Sequence, residues 1–256
     1  MRILITADIH NNLAWLNFLR SAVQGFDLLV IAGDVFDALD EGGTVEQAQD
    51  FDRFLAALKG PIVAFTSGNH DVLTTETPQE GSQRMLEMIV AKNWWDPLAK
   101  PGRIIVPGQA VFLPIGLVVS THPYRFDSEN EVGDGLLWAE GAKLRKQNRC
   151  PWLAVHHEPP VRTLVGERDG PPSDLEEAID RWQPNYLASG HLHNRPFDTD
   201  GAFVDRVEAT VCFNPGCCHQ SPAPNHIILD TRAGTAEWRA MYRANGNPQI
   251  AHIKKL

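Results

Sequence analysis

Short apolar runs, each closed by a polar tip and followed by an amphipathic stretch, dominate the N-terminal part of the chain. Residues 2–7 read as a buried strand with Asp8 at its C-terminal end. Residues 13–23 place Leu13, Leu16, Leu19, Ala22 and Val23 at helical spacing. Residues 27–32 form a second apolar run, ending at Gly33-Asp34. Gly42-Gly43-Thr44 reads as a turn and N-cap for a helix through Leu58, with Phe51, Phe54, Leu55 and Leu58 as its inner stripe. Gly60-Pro61 breaks that helix. Residues 62–66 form a third strand, ending at Ser67-Gly68-Asn69-His70-Asp71. Three repeats of strand, tip and helix predict βαβ units and a sheet that starts parallel. Ligands of such sheets sit outside the carboxyl ends of the strands, where all three tips fall.

The pattern then loosens. Residues 74–101 are polar and Pro-punctuated, with a helix expected over about 83–91; the segment reads as a lid or insertion. Residues 103–121 hold short apolar runs that predict antiparallel strands. A helix is expected over 135–147 and a buried strand over 152–156, again with a polar tip. Residues 173–182 read as a helix, with Ser173 and Glu176 forming a capping box. Residues 185–189 give a further strand, ending at Gly190-His191-Leu192-His193, and strands and turns follow from Phe203 onward. With no Gly/Ser linker and no repeat, residues 1–256 read as one domain.

Composition narrows the class. The chain is 43% hydrophobic and 21% charged over 256 residues, ordinary for a globular protein. Its net charge of −9 argues against a nucleic-acid surface and thus against a nuclease, although cations bound at a site offset local charge. The apolar run at the N-terminus is too short for a signal peptide or membrane span, so the expectation is a cytoplasmic protein without a membrane partner. Cys150, Cys212, Cys217 and Cys218 form no CxxC pair, and free thiols fit a reducing compartment.

The strand tips collect Asp8, His10, Asp34, Asp37, Asn69, His70, Asp71, His156, His157, His191 and His193. Bare, so many carboxylates and imidazoles repel; around cations they are satisfied. Singly, each has a plain alternative: Asp8 as a turn residue, Gly68-Asn69-His70-Asp71 as a turn tolerant of positive φ, His156-His157 as a partly buried pair. Their order at successive strand exits is the stronger signal. The lack of cysteine among them argues against a structural zinc site, while imidazole plus carboxylate suits manganese, iron or zinc. The donors exceed the needs of one tetrahedral ion and suit two ions about 3.5–4 Å apart sharing a carboxylate. On ideal strands Asp8 and His10, and again His191 and His193, point to one face. Gly33 before Asp34 permits close approach of other groups. Either His156 or His157 can serve as the donor from its strand.

The ordered set Asp8-Ile9-His10, Gly33-Asp34-Val35-Phe36-Asp37, Gly68-Asn69-His70-Asp71, His157-Glu158-Pro159-Pro160 and Gly190-His191-Leu192-His193 resembles the calcineurin-like metallophosphoesterase superfamily. Asn214-Pro215-Gly216 resembles a further motif of many bacterial members. The resemblance implies two mixed β-sheets packed face to face and flanked by helices, an α/β sandwich with a dinuclear metal site at strand C-terminal ends. It implies that Asp8, His10 and His193 hold one metal, that Asn69, His157 and His191 hold the other, and that Asp34 bridges them. The family's His-x-Pro pattern selects His157 over His156. His70 is the implied catalytic histidine and Asp37 the carboxylate that orients it. His122, Arg125 and Arg162 are candidate substrate contacts, with Arg168 a further loop arginine.

The function expected is metal-dependent hydrolysis of a small-molecule phosphoester, monoester or diester. Two divalent ions (Mn, Fe, Zn or Co, with Mn the first to test) activate the attacking water. Two alternatives compete. A scaffold with a vestigial site conflicts with the retained His70 and ligand set. A di-iron redox protein conflicts with donors at strand exits, because such sites are usually built on helices.

Overall fold

The computed structural model describes residues 1–37, 44–72, 94–124, 131–171, 173–240 and 250–256. It opens with β1 (Arg2–Thr6), α1 (Leu13–Ala22), β2 (Leu28–Ala32), α2 (Thr44–Ala57), β3 (Ile62–Thr66) and a short α3 (Asn69–Val72). β1, β2 and β3 pair in parallel, as the repeated pattern predicts. Their runs are continuously apolar because both faces are covered. Ile3, Ile5, Leu28 and Val30 face one core, while Leu4, Leu29 and Ile31 face another.

β4 (Ile104–Ile105) extends this sheet in parallel beside β3, where the sequence pattern predicts antiparallel pairing. The antiparallel expectation holds for the hairpin of β5 (Ala110–Leu113) and β6 (Leu117–His122). Next come α4 (Glu131–Asn148), which begins before the predicted start, β7 (Trp152–His156), α5 (Asp174–Trp182) and β8 (Tyr186–Ala188). The chain closes with β9 (Val204–Val207), β10 (Thr210–Phe213), β11 (His226–Asp230), β12 (Thr235–Ala240) and β13 (Ile250–Lys255). Among the described residues the strands form two mixed sheets, ordered β13-β12-β11-β1-β2-β3-β4 and β5-β6-β7-β8-β10-β9.

The two sheets share an inner core of Ile3, Ile5 and Val30 from one side and Val119, Leu153, Val155 and Phe213 from the other. α1 and α2 cover the outer face of the first sheet with Trp15, Leu19, Phe51 and Leu55. Trp138 and Ile179, from α4 and α5, cover Val118, Trp152 and Leu187 on the second. Each such large apolar side chain contributes about 1.5–3 kcal/mol by leaving water. Trp95 is buried and Trp94 packs on Phe36, Phe51 and Phe65, so the tryptophan pair belongs to this core. The capping box at Ser173 forms, its amide donating to Glu176 Oε2 at 2.8 Å. The expected helix over 83–91, and with it most of the expected lid, lies outside the described residues. Among the described residues no helix is long and apolar enough to cross a membrane.

Candidate metal centre

The C-terminal ends of β1, β2, β3, β7 and β8 converge, and each releases a polar loop there. The loops are laced together by backbone. The Asp8 amide donates to the Gly33 carbonyl (3.1 Å), that of His10 to Asp34 (3.0 Å) and that of Asn11 to Val35 (2.8 Å). Asn12 then caps α1, its side-chain oxygen accepting from the Trp15 amide at 3.2 Å. This lacing puts Asp8, His10, Asp34 and His191 in left-handed backbone, with φ of 54, 47, 49 and 65°. Such conformations cost of order 1–3 kcal/mol each and persist where surrounding contacts enforce them. They also correct one expectation: Asp8 and His10 lie beyond β1, and His191 and His193 beyond β8, so loop geometry rather than strand alternation aims them.

Two motif glycines make room for the donors. A Cβ on Gly33 would stand 2.3 Å from His157 Nδ1, and one on Gly68 would stand 2.1 Å from Asp34 Oδ1. Gly33 also has φ of +88°, which disfavours other residues.

The side chains form two groups about Asp34. On one side, His10 Nε2 and His193 Nε2 are 3.4 Å apart, and His193 Nε2 is 3.5 Å from Asp8 Oδ1. On the other, Asn69 Oδ1 lies 3.1 Å from His157 Nε2 and 3.0 Å from His191 Nδ1. Asp34 Oδ2 reaches toward both, 3.2 Å from His157 Nε2 and 3.9 Å from His10 Nε2. Asp34 Oδ1 accepts from the His70 amide at 2.9 Å, and Asp8 Oδ1 from the His191 amide at 3.0 Å. His157 Nδ1 sits 2.8 Å from the Ala32 carbonyl and must donate to it. That bond fixes the ring and turns Nε2 toward Asp34 and Asn69, the second contact typical of a ligating imidazole. His70 stands edge-on to His10, ring centroids 4.6 Å apart, with Nδ1 3.9 Å from Asp37 Oδ1. Gln47 clamps the Asp37 backbone through two hydrogen bonds, of 2.9 and 3.0 Å.

The electrostatics are those of a crowded, dry cluster. Burial holds His10 down at about 4 despite nearby Asp8 and Asp34. Burial also lowers His191, helped by the charge of His157. For His157 burial is outweighed by the bond to Asp34 and by the charges of Asp34 and Asp8, which lift it to about 9. For Asp34 burial is outweighed by His157 and by the His70 amide, which hold it at about 2. His157 Nε2 and Asp34 Oδ2 thus face one another, and a divalent cation can take the place of a proton between them.

The residues fit divalent metal. Asp8 is fully buried, and its Oδ2 has no hydrogen-bond partner. A buried, unpartnered carboxylate oxygen is costly unless a cation lies beside it. Asp8, Asp34 and His157 bring one donor atom each within 4.8 Å of one another, as do His10, Asp37 and His70. The donors are oxygen and imidazole nitrogen, the set suited to manganese, iron or zinc.

The structure thus brings together Asp8, His10, Asp34, Asn69, His157, His191 and His193, with Asp37 and His70 beside them. His156 points elsewhere, its Nδ1 3.0 Å from its own loop's Glu158 carbonyl and its ring 6.3 Å from that of His122. His122, expected at the substrate pocket, is fully buried instead. Its Nδ1 donates to Asp134 Oδ1 at 2.6 Å and its Nε2 lies 2.9 Å from Ser120 Oγ, so it braces α4 against β6. Arg162 is exposed, and its Nε donates to the Gly170 carbonyl at 3.3 Å within its own loop. Arg125 lies outside the described residues.

Two roles were not foreseen. The buried Asp71 carboxylate accepts from the amides of Val35 (3.2 Å), Phe36 (2.8 Å) and Gly68 (2.7 Å), locking the loop of Asp34 to that of Asn69. His219 stands against His10 and His193, with centroids 4.9 and 5.1 Å away. No spacing rule reaches it, because it arrives from the loop after β10.

The profile of the family described as calcineurin-like phosphoesterase matches residues 1–195. Among solved structures the chain is similar to TT1561 of Thermus thermophilus, with a TM-score of 0.63 at 16% identity, covering 93% of this chain and 97% of that one. It also matches purple acid phosphatase PPD1 of yellow lupin (TM-score 0.48, 11% identity, 99% of this chain and 53% of that one). A third likeness is Vps29 of Entamoeba histolytica, solved with Zn²⁺ (0.44, 11%, 99% and 98%). The chain shares its fold with the first of these. No curated protein sequence matches the chain.

Proposed function

The chain belongs to the calcineurin-like phosphoesterase family and is a metal-dependent phosphoester hydrolase, and from that premise we propose that it works with two divalent cations held on either side of Asp34. One is held by Asp8, His10 and His193, the other by Asn69, His157 and His191. The observation that carries this reading is the buried, unpartnered Asp8 Oδ2 beside a cluster of imidazoles and carboxylates. When bound, such cations activate water and neutralise charge on the phosphoryl oxygens.

The chain's own groups do the rest. The laced loops hold the donors in place, as electrostatic stabilisation of a transition state requires. His70, oriented by Asp37, hands a proton to the leaving oxygen. Their 3.9 Å separation is of the kind that tightens when substrate binds. Ala32 and Asp71 hold His157 and the two central loops from behind.

The substrate we propose is a small-molecule phosphomonoester or phosphodiester. Support comes from a cavity of about 750 Å³ whose wall includes His191 and His193. Arg168, Arg195, Glu167, Asp169 and Asp200 also line it, a mixed-charge surface suited to a compact polar group. The net charge of −9 disfavours a polyanionic polymer.

The test is turnover of p-nitrophenyl phosphate and its bis ester by purified protein supplied with Mn²⁺. Wild type should hydrolyse at least one, and Asn69→Ala and His70→Ala should each lose that turnover. No activity with Mn²⁺, Fe²⁺, Zn²⁺ or Co²⁺ on either ester, or full activity in both variants, would sink the proposal.

A further inference from the structure

We propose that His219 is an additional ligand of the cation held by Asp8, His10 and His193, an inference that rests on the two-metal reading above. A nitrogen of His219 lies with nitrogens of His10 and His193 in a set all within 4.8 Å of one another. Metal–imidazole bonds of about 2.1 Å put ligand nitrogens roughly 3.0 Å apart when at right angles and about 4.2 Å apart when opposite. The His10–His193 separation of 3.4 Å falls inside that range. The outer limit for the third nitrogen exceeds it by about 0.6 Å, which a small turn of the side chain within its rotamer well can close.

His219 is delivered to this place by a built loop. Asn214 is fully buried, and its Nδ2 donates to the Val165 carbonyl (3.1 Å) and the Leu192 carbonyl (3.2 Å). Its Oδ1 accepts from the Gly216 amide at 2.8 Å. Gly216 crosses hard against the backbone of a proposed ligand, since a Cβ there would stand 2.6 Å from the His193 carbonyl oxygen. The Cys217 amide donates to that same oxygen at 3.0 Å, and Cys217 Sγ lies 3.5 Å from the Asp8 carbonyl oxygen. The loop is thus fastened to the main chain of two of the three residues assigned to this cation.

The ring of His219 is seated as well. It stacks on Trp15 with an interplanar angle of 9° and centroids 6.3 Å apart, the offset arrangement that aromatic rings prefer. Trp15 is itself buried, and its indole N–H donates to the Ser221 carbonyl at 2.9 Å, closing the loop on both flanks of His219. A surface histidine held only by solvent needs none of these contacts. Three imidazoles on one cation, against two on the other, would make the two sites unequal in affinity and in spectrum.

The experiment is metal titration of chelator-treated protein, by calorimetry with Mn²⁺ and by visible absorption with Co²⁺, on wild type, His219→Ala and His219→Gln. Wild type should bind two ions. Each variant should lose at least about tenfold affinity at one site, the range for perturbed coordination, and keep the other. The Co²⁺ bands should change in intensity by half the set only. His219 is exposed and both variants should fold, which thermal melts of the chelated proteins verify; the two replacements guard against a local defect in either. Two ions bound by wild type and by both variants, with affinities within threefold and matching Co²⁺ spectra, would overturn the role of His219 and leave the two-metal reading intact. Wild type that binds fewer than two ions would overturn both. A change in KM with unaltered metal binding would mark His219 as a substrate contact, against the proposal.

Discussion

Gly68→Ala tests the packing that holds the bridging carboxylate. The added Cβ would lie 2.1 Å from Asp34 Oδ1, 2.7 Å from its Cγ and 2.5 Å from its backbone nitrogen. Rotating the Asp34 side chain relieves the first two contacts but not the third, so the loop itself must move by roughly 1 Å to restore normal packing. Overpacking of this kind costs about 1–3 kcal/mol. The movement also breaks the His70 amide bond to Asp34, a bond to a charged group that contributes about 1.5–3 kcal/mol. A total of about 3–5 kcal/mol should lower Tm by roughly 10 °C, at about 2–4 °C per kcal/mol for a chain of this size. A misplacement of about 1 Å at a catalytic site is typically a hundredfold effect, so kcat should fall on the order of 100-fold. Thermal melts and p-nitrophenyl ester kinetics read both. Wild-type Tm and kcat in the variant would show that Asp34 is not confined as described.

Two glycines of α4 make a matched pair. Gly135→Ala meets nothing within 4 Å and should stabilise by about 0.5–1 kcal/mol, as a helix prefers Ala; a melt showing loss of stability would refute this. Gly141→Ala puts its Cβ 2.4 Å from the buried Trp152 ring and should destabilise by about 1–3 kcal/mol, and a neutral melt would contradict it. For chelator-treated protein, the raised His157, at about 9, gives stability that is full below pH 6.5 and fades as pH rises through 9. His10, held at about 4, leaves the unfolded chain binding more protons between pH 6.5 and 4, so stability also falls as pH drops across that window. Burial lifts Asp71 to about 7, and this opposes the His10 effect below pH 7, so the test lies on the alkaline side: Tm should fall as pH rises from 6.5 to 9, and a flat profile there would refute the assignment. His122→Ala removes the bonds to Asp134 and Ser120 and should cost about 1–3 kcal/mol while leaving KM unchanged; a raised KM at normal Tm would restore it to the substrate pocket.

The parallel start of the sheet was legible because strands buried on both faces, such as 28–32, must be continuously apolar and must end where the polar tip begins. The donors were legible for the same reason: a charged residue directly beyond a buried strand is confined to its C-terminal edge. Their conformations were not. Left-handed backbone at Asp8 and His10 depends on amide bonds to Gly33 and Asp34, which come from another strand's loop. His122 misled because its neighbours on the chain are strand residues, while the partner that buries it, Asp134, comes from α4. Ile104-Ile105 is too short to show which strand it will join. His219 reaches His10 and His193 only through folding of a loop far along the chain.

Anomalous diffraction from a crystal soaked in Mn²⁺ would locate the two cations proposed on either side of Asp34. Two peaks about 3.5–4 Å apart are expected, one beside Asp8, His10 and His193 and one beside Asn69, His157 and His191. A single peak, or a peak coordinated by His156 in place of His157, would contradict that arrangement.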